Sequence, residues 1–169
     1  MLGVARADLL DPMADALRRL GLERAAVVHG HGGMDEASLS GESELRLLEA
    51  GAVRPEVLDP TALGLKPAPI EALAGGDVER NAAILEAVLQ GRGTEAQRDV
   101  VALNTALVLW SAGLCDSVAA GLPTALHALE AGSPWQRLEG LRQALPMACL
   151  LYTSPSPRDQ RGSRMPSSA

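Results

Sequence analysis

Between Asp11 and Glu36 the chain writes a helix, a stop, a short apolar strand and a glycine-rich turn that ends in two carboxylates. Asp11-Pro12 reads as a helix start, with aspartate as N-cap and proline at the first helical position, where no backbone N–H is needed. Met13, Ala16, Leu17 and Leu20 then fall on one face, and Gly21 supplies the stop. Ala25 to Val28 is a buried strand by length and composition. A helix that delivers the chain to a parallel strand is the signature of an α/β fold.

The strand runs into Val-Val-His-Gly-His-Gly-Gly-Met-Asp-Glu, residues 27–36. Ligands of α/β sheets bind beyond strand ends, so this turn is where chemistry is expected. Asp35 and Glu36 are the candidate metal ligands. Mg²⁺ prefers hard oxygen donors and commonly takes one or two protein carboxylates together with substrate phosphates. Adjacent acids are common on surfaces; the position past a strand is what points to a metal. Gly30, Gly32 and Gly33 either let the backbone approach a ligand or form a tight turn. The run is not a Gly-x-Gly-x-x-Gly fingerprint, because no helix clearly follows it.

Other polar residues read as structural. His29 and His31 lie two apart in a turn and His127 lies far along in a helix, too few for a zinc site. Ser38 and Ser40 belong to a loop. Asn81 and Asn104, on apolar helices, are expected to make buried contacts to neighbouring backbone. Cys115 has no basic neighbour in sequence to activate it.

Ser43 to Glu49 and Ala52 to Leu58 read as a hairpin around Ala50-Gly51, and 59–69 as loop. Asp77 caps a helix carrying Ile84, Leu85, Val88 and Leu89, which stops near Gly91. Thr94 caps the next, with Glu95 in its first turn. That helix is apolar nearly all round, which predicts burial. Ser117 to Ala131 and Pro134 to Ala144 complete the set. One parallel strand, a hairpin and several helices are too few for a whole parallel sheet. The expectation is an incomplete sheet, part of a domain, with exposed edges.

With no Phe and one Tyr, the core must be built from Leu, Val, Ala and Met. The formal charge of −6 and the single lysine, Lys66, argue against a nucleic-acid partner. Two cysteines form neither a disulfide framework nor a metal set, which fits a reducing cytoplasm. No leader peptide is visible, and no uncharged run is long enough for a bilayer. From Cys149 the texture changes to Ser, Pro and Arg without periodicity. Residues 149–169 back-translate to something resembling a sequencing adapter and are expected to be a non-native, disordered tail. Residues 1–148 are then the natural part, with charge −8, since three arginines and one aspartate fall in the tail.

Five segments carry a resemblance. They are Val-Val-His-Gly-x-x-Gly-Met-Asp-Glu-x-Ser (27–38), Leu-Asp-Pro-x-x-Leu-Gly-Leu (58–65), Gly-Gly-Asp-x-x-x-Asn-Ala-x-Ile-Leu (75–85), Val-Leu-x-Gly (88–91) and Gln-Arg-Asp-x-Val-x-Leu-Asn (97–104). Each is weak alone, but in this order they resemble the C-terminal half of the anthranilate phosphoribosyltransferases. The resemblance implies part of the large α/β domain of a nucleoside-phosphorylase-like phosphoribosyltransferase fold. It implies a pentosyl transfer in tryptophan biosynthesis, from phosphoribosyl pyrophosphate to the amine of anthranilate, with release of pyrophosphate. Asp35 and Glu36 match the family's acidic pair for Mg²⁺.

The family's helical domain, its Gly-Thr-Gly-Gly-Asp pyrophosphate loop and its anthranilate-contacting segments have no counterpart in these residues. The resemblance therefore implies an inactive fragment, one that lacks the surface through which the family forms homodimers. The competing readings are a nucleoside phosphorylase, a non-enzymatic or nucleic-acid-binding relative, and a structural module with an incidental acidic turn. The acidic pair opposes the first, and the charge with its single lysine opposes the second.

Overall fold

The computed structural model describes residues 1–145, so the expected tail at 149–169 lies outside the described residues. The chain divides into two units, the first spanning residues 1–136 and the second beginning at Arg137. The first holds a four-stranded mixed sheet in the order β1-β2-β3-β4, with β1 at Leu2–Gly3, β2 at Arg24–His29, β3 at Ser43–Glu49 and β4 at Ala52–Leu58. Strand β1 runs parallel to β2, with Leu2 opposite Val27 and Gly3 opposite Val28. Strands β2, β3 and β4 are successively antiparallel. The α/β expectation holds. The strand that β2 parallels is β1, which is too short for a periodic pattern to announce.

Helix α1, Leu10–Arg19, connects β1 to β2. Its start differs from the Asp11-Pro12 expectation. A 3₁₀ turn at Ala7–Leu9 leads into the helix, and Leu9 is the N-cap without a side-chain cap bond. The Asp11 carboxylate is drawn away, accepting from Arg46 Nε at 2.5 Å. Pro12 still falls in the first turn, where backbone N–H groups have no intrahelical partner.

The hairpin matches its expected bounds. Ala50 (φ 49°) and Gly51 (φ 80°) both lie in the left-handed region, the geometry of a type I′ turn. Pro55 lies in β4, an edge strand of this sheet, where a missing N–H costs no ladder bond.

Helices α2 (Val78–Leu89), α3 (Glu95–Ser111) and α4 (Val118–Glu130) follow, and α5 spans Ser133–Ala144. The two expected caps, Asp77 and Thr94, form, and Ser117 adds a third. Asp77 accepts from Arg80 N–H, Thr94 from Gln97 N–H and Ser117 from Ala120 N–H. Gln97 also reaches back to the Thr94 N–H, completing a capping box.

Alternation along β2 and β3 divides the core between the two faces of the sheet. Ala26, Val28, Leu45 and Leu47 join Leu103, Ala106, Leu107 and Trp110 of α3 and Leu122, Ala125 and Leu129 of α4. Val27 joins Val4, Leu10 and Ala14 on the α1 side. Two expectations are corrected. Helix α3 is not buried all round, since Val108 is 47% exposed. Asn81 is not buried either, because α2 turns only Val88 fully inward. In the second unit, Arg142 pairs with Glu139 at 3.0 Å.

Candidate functional site

Both parallel strands end at the same edge of the sheet, and the segment from Gly30 to Ser43 crosses that edge. His29 closes β2, its Nδ1–H donating to the Val4 carbonyl at 2.9 Å. The Gly30 N–H then bonds the Met34 carbonyl at 2.7 Å, which closes a loop around the glycines. Gly32 (φ 77°) and Gly33 (φ 84°) supply the left-handed residues that this loop needs. Gly30 (φ −84°) has an ordinary backbone, and its lack of a side chain serves a different purpose. A Cβ there would stand 2.0 Å from the Glu36 carbonyl oxygen. Of the two readings of these glycines, close approach applies at Gly30 and turn formation at Gly32 and Gly33. The surface that Gly30 approaches is the chain's own backbone.

Asp35 and Glu36 follow, both exposed, at the sheet end where they were expected. Among the described residues neither carboxylate has a cation partner or a side-chain hydrogen bond. Glu36 lines a shallow depression of about 300 Å³ with Met1, Asn104 and Val108. Asp35 is not part of that lining. No cluster of three or more His, Cys, Asp or Glu exists among the described residues. The oxygen donors on offer at this turn are two carboxylate groups. That set suits a hard cation that completes its shell with water and phosphate oxygens, and it does not suit zinc.

The segment after the pair is anchored by buried polar groups. Asn104 Oδ1 accepts from the Ala37 N–H at 2.9 Å, and its Nδ2 donates to the Ala37 carbonyl at 3.0 Å. Ser43 Oγ accepts from the Ser38 N–H at 3.1 Å, while the Ser38 and Ser40 hydroxyls meet at 2.7 Å. The backbone role expected for Asn104 and the loop role of both serines hold. Asn81 bonds the Gly76 backbone, but in the open.

Sequence reasoning missed Gly3 and Ser43. Gly3 at the end of β1 leaves room for the Asp35 carbonyl oxygen, which a Cβ would approach to 1.6 Å. The histidines are not brought together as ligands. His29 bonds Val4, His31 packs its ring against Gly41, and His127 is exposed on α4. Cys115 is a half-buried free thiol packed against the core.

A depression of about 870 Å³ lies at the opposite end of the sheet, beside Gly21, Arg24, Glu49 and Gly113. Its arginines are already paired, Arg24 with Glu49 and Arg18 with Asp15.

A family model described as the glycosyl transferase family, a/b domain, matches residues 1–134. The chain belongs to this glycosyl transferase family. It is 64% identical over 145 residues to the anthranilate phosphoribosyltransferase of Prochlorococcus marinus (strain MIT 9313), covering 86% of this chain and 41% of that relative. The fold superimposes on the crystal structure of anthranilate phosphoribosyltransferase from Thermus thermophilus. That match has a TM-score of 0.74 and 41% identity, covering 83% of this chain and 41% of that one. The Saccharomyces cerevisiae enzyme in complex with PRPP and Mg has the same fold, with a TM-score of 0.71 at 24% identity over 81% of this chain and 40% of that one. The chain thus spans about two fifths of the length of the relatives it matches.

Several motif residues that resemble the family have local structural duties here. Asp59 accepts from the Thr61 N–H and hydroxyl, and these bonds hold its carboxyl below the usual range. Asp77 caps α2. Asp99, 2% exposed, pairs with Arg98 at 2.6 Å. Of the acids fixed in the five motif segments, Asp35 and Glu36 alone are exposed and, among the described residues, without a partner. Among the described residues no helix is long and apolar enough to cross a membrane.

Proposed function

We propose that this chain supplies the divalent-cation side of an anthranilate phosphoribosyltransferase site. The carrying observation is the pair Asp35 and Glu36. Both are exposed and, among the described residues, unpaired, and their backbone is pinned at the C-terminal ends of two parallel strands. The 64% identity to a named anthranilate phosphoribosyltransferase and the PRPP and Mg of the yeast complex support the same reading.

The reaction that fits breaks the bond between C1 of the ribose and pyrophosphate, and forms a bond from C1 to the anthranilate nitrogen. Negative charge grows on the departing oxygen as C1 becomes electron-poor. Mg²⁺ held against pyrophosphate would stabilise that charge. The chain's own task is to hold two oxygen donors at a set place and leave the rest of the coordination shell to phosphate and water. The anthranilate amine is a weak base, so its orientation matters more than its activation.

A chimera tests this. Residues 1–145 replace the matching segment of the Thermus thermophilus enzyme, and anthranilate-dependent pyrophosphate release is measured. Release should persist, and Asp35→Asn with Glu36→Gln should lower kcat/KM by about 10²-fold or more, the scale for lost transition-state charge stabilisation. A folded chimera whose rate is unaffected by the double substitution would sink the assignment.

A further inference from the structure

Three consecutive residues, Asp35, Glu36 and Ala37, are each gripped through the backbone by a different element. The Asp35 carbonyl oxygen occupies the space above Gly3 of β1, where a Cβ would come within 1.6 Å. The Glu36 carbonyl oxygen occupies the space above Gly30, where a Cβ would come within 2.0 Å. Ala37, fully buried, is bonded at both its N–H and its carbonyl by the single side chain of Asn104. The remaining Nδ2 proton of Asn104 goes to the Val100 carbonyl at 3.0 Å. With one acceptor and two donors engaged, the amide can neither flip nor swing. Asn104 is 9% exposed and sits 67 residues from Ala37, so the clamp fastens the acidic turn to the long central helix.

An isolated loop would lose its coordinates to thermal motion, and a charged pair without partners has nothing of its own to hold it. We propose that Asn104 is the positioning residue of the acidic pair, closing the turn onto Gly3 and Gly30 and so setting where Asp35 and Glu36 present their oxygens to a cation bound to pyrophosphate. This rests on the cation reading given above. Asparagine is specific for the task. Aspartate keeps the acceptor for the Ala37 N–H but sets a second acceptor against the Ala37 carbonyl. Leucine fills the space and bonds neither group.

The test uses the full chain with Mn²⁺ and inorganic pyrophosphate as the probe. It reads paramagnetic broadening of backbone amide signals and, separately, amide hydrogen exchange. In the unsubstituted chain broadening should centre on residues 30–38. Asn104→Asp should weaken that binding roughly tenfold and speed exchange at Ala37 by a similar factor. Exchange at Leu103 and Leu107 in the helix should stay unchanged. In a Glu36→Gln background the Asn104→Asp effect on binding should shrink, because coupled residues are not additive. Asn104→Ala repeats the measurement should the aspartate variant fail to fold. Unchanged Ala37 exchange, or faster exchange with undiminished Mn²⁺ binding, overturns the positioning role alone. Absence of localised broadening in the unsubstituted chain overturns the cation reading and this inference with it.

Discussion

The guanidinium carbon of Arg24 lies 4.8 Å from the centroid of the Trp110 ring, while its Nη2 reaches Glu49 at 2.5 Å. The strand that ends in the acidic turn thus begins on the largest side chain of the core, which is 2% exposed. Trp110→Ala should cost about 3–5 kcal/mol through lost burial and a residual cavity. Arg24→Lys keeps the charge but loses the flat stack and should cost about 0.5–1 kcal/mol. Urea denaturation followed by far-UV circular dichroism measures both. Equal midpoints for the alanine variant and the parent would contradict the packing described.

Ala50 offers a gain. Its φ of 49° places a Cβ in the left-handed region, where an ordinary residue loses about 1 kcal/mol. Asparagine and glycine suit that position of a type I′ turn. Ala50→Asn should raise stability by a few tenths to about 1 kcal/mol, and Ala50→Val should lower it. Thermal midpoints moving in the reverse order would show that the turn is not of this type.

Acid should weaken the fold through its surface carboxylates. The hydrogen bonds from Arg46 hold the Asp11 carboxyl below its ordinary 3.8, and those from Arg18 and Arg19 do the same for Asp15. Groups whose folded pKa lies below the unfolded value contribute stability above the unfolded value and lose it as pH falls through the folded one. The loss should therefore begin below about pH 4 and continue downward. Asp11→Asn should flatten that limb, seen in urea midpoints collected from pH 7 to pH 2. High salt should mute the difference, because both carboxylates are exposed.

Function and stability should separate at the acidic pair. Asp35 and Glu36 are exposed and touch no cationic side chain among the described residues, so Asp35→Asn with Glu36→Gln should shift stability by no more than about 0.5 kcal/mol. The same double substitution should abolish localised Mn²⁺ broadening at residues 30–38. A large stability loss would mean that the carboxylates serve the fold.

Much of this was legible beforehand because it is local. Asp77 and Thr94 cap helices through bonds that span three residues. Ala50-Gly51 closes a hairpin of adjacent strands. The acidic pair follows a strand by a few residues of glycine-rich turn. Such signals lie within one window of sequence, and burial only has to leave them undisturbed. The exceptions were settled by distant groups. Asp11 looked like a cap and instead took Arg46, 35 residues away. Helix α3 looked apolar nearly all round, yet Val108 remained open.

The amino-acid order by itself thus determined the helices, the hairpin and the placement of two carboxylates past a strand, since each depends on neighbours along the chain. Only the tertiary structure decided that Leu2–Gly3 is a strand, that Gly3 and Gly30 are spaces for carbonyl oxygens, and that Asn104 holds Ala37 from 67 residues away. Those contacts exist only once α3 lies across the sheet, because no spacing along the chain records which atoms a packed core will bring within hydrogen-bond reach.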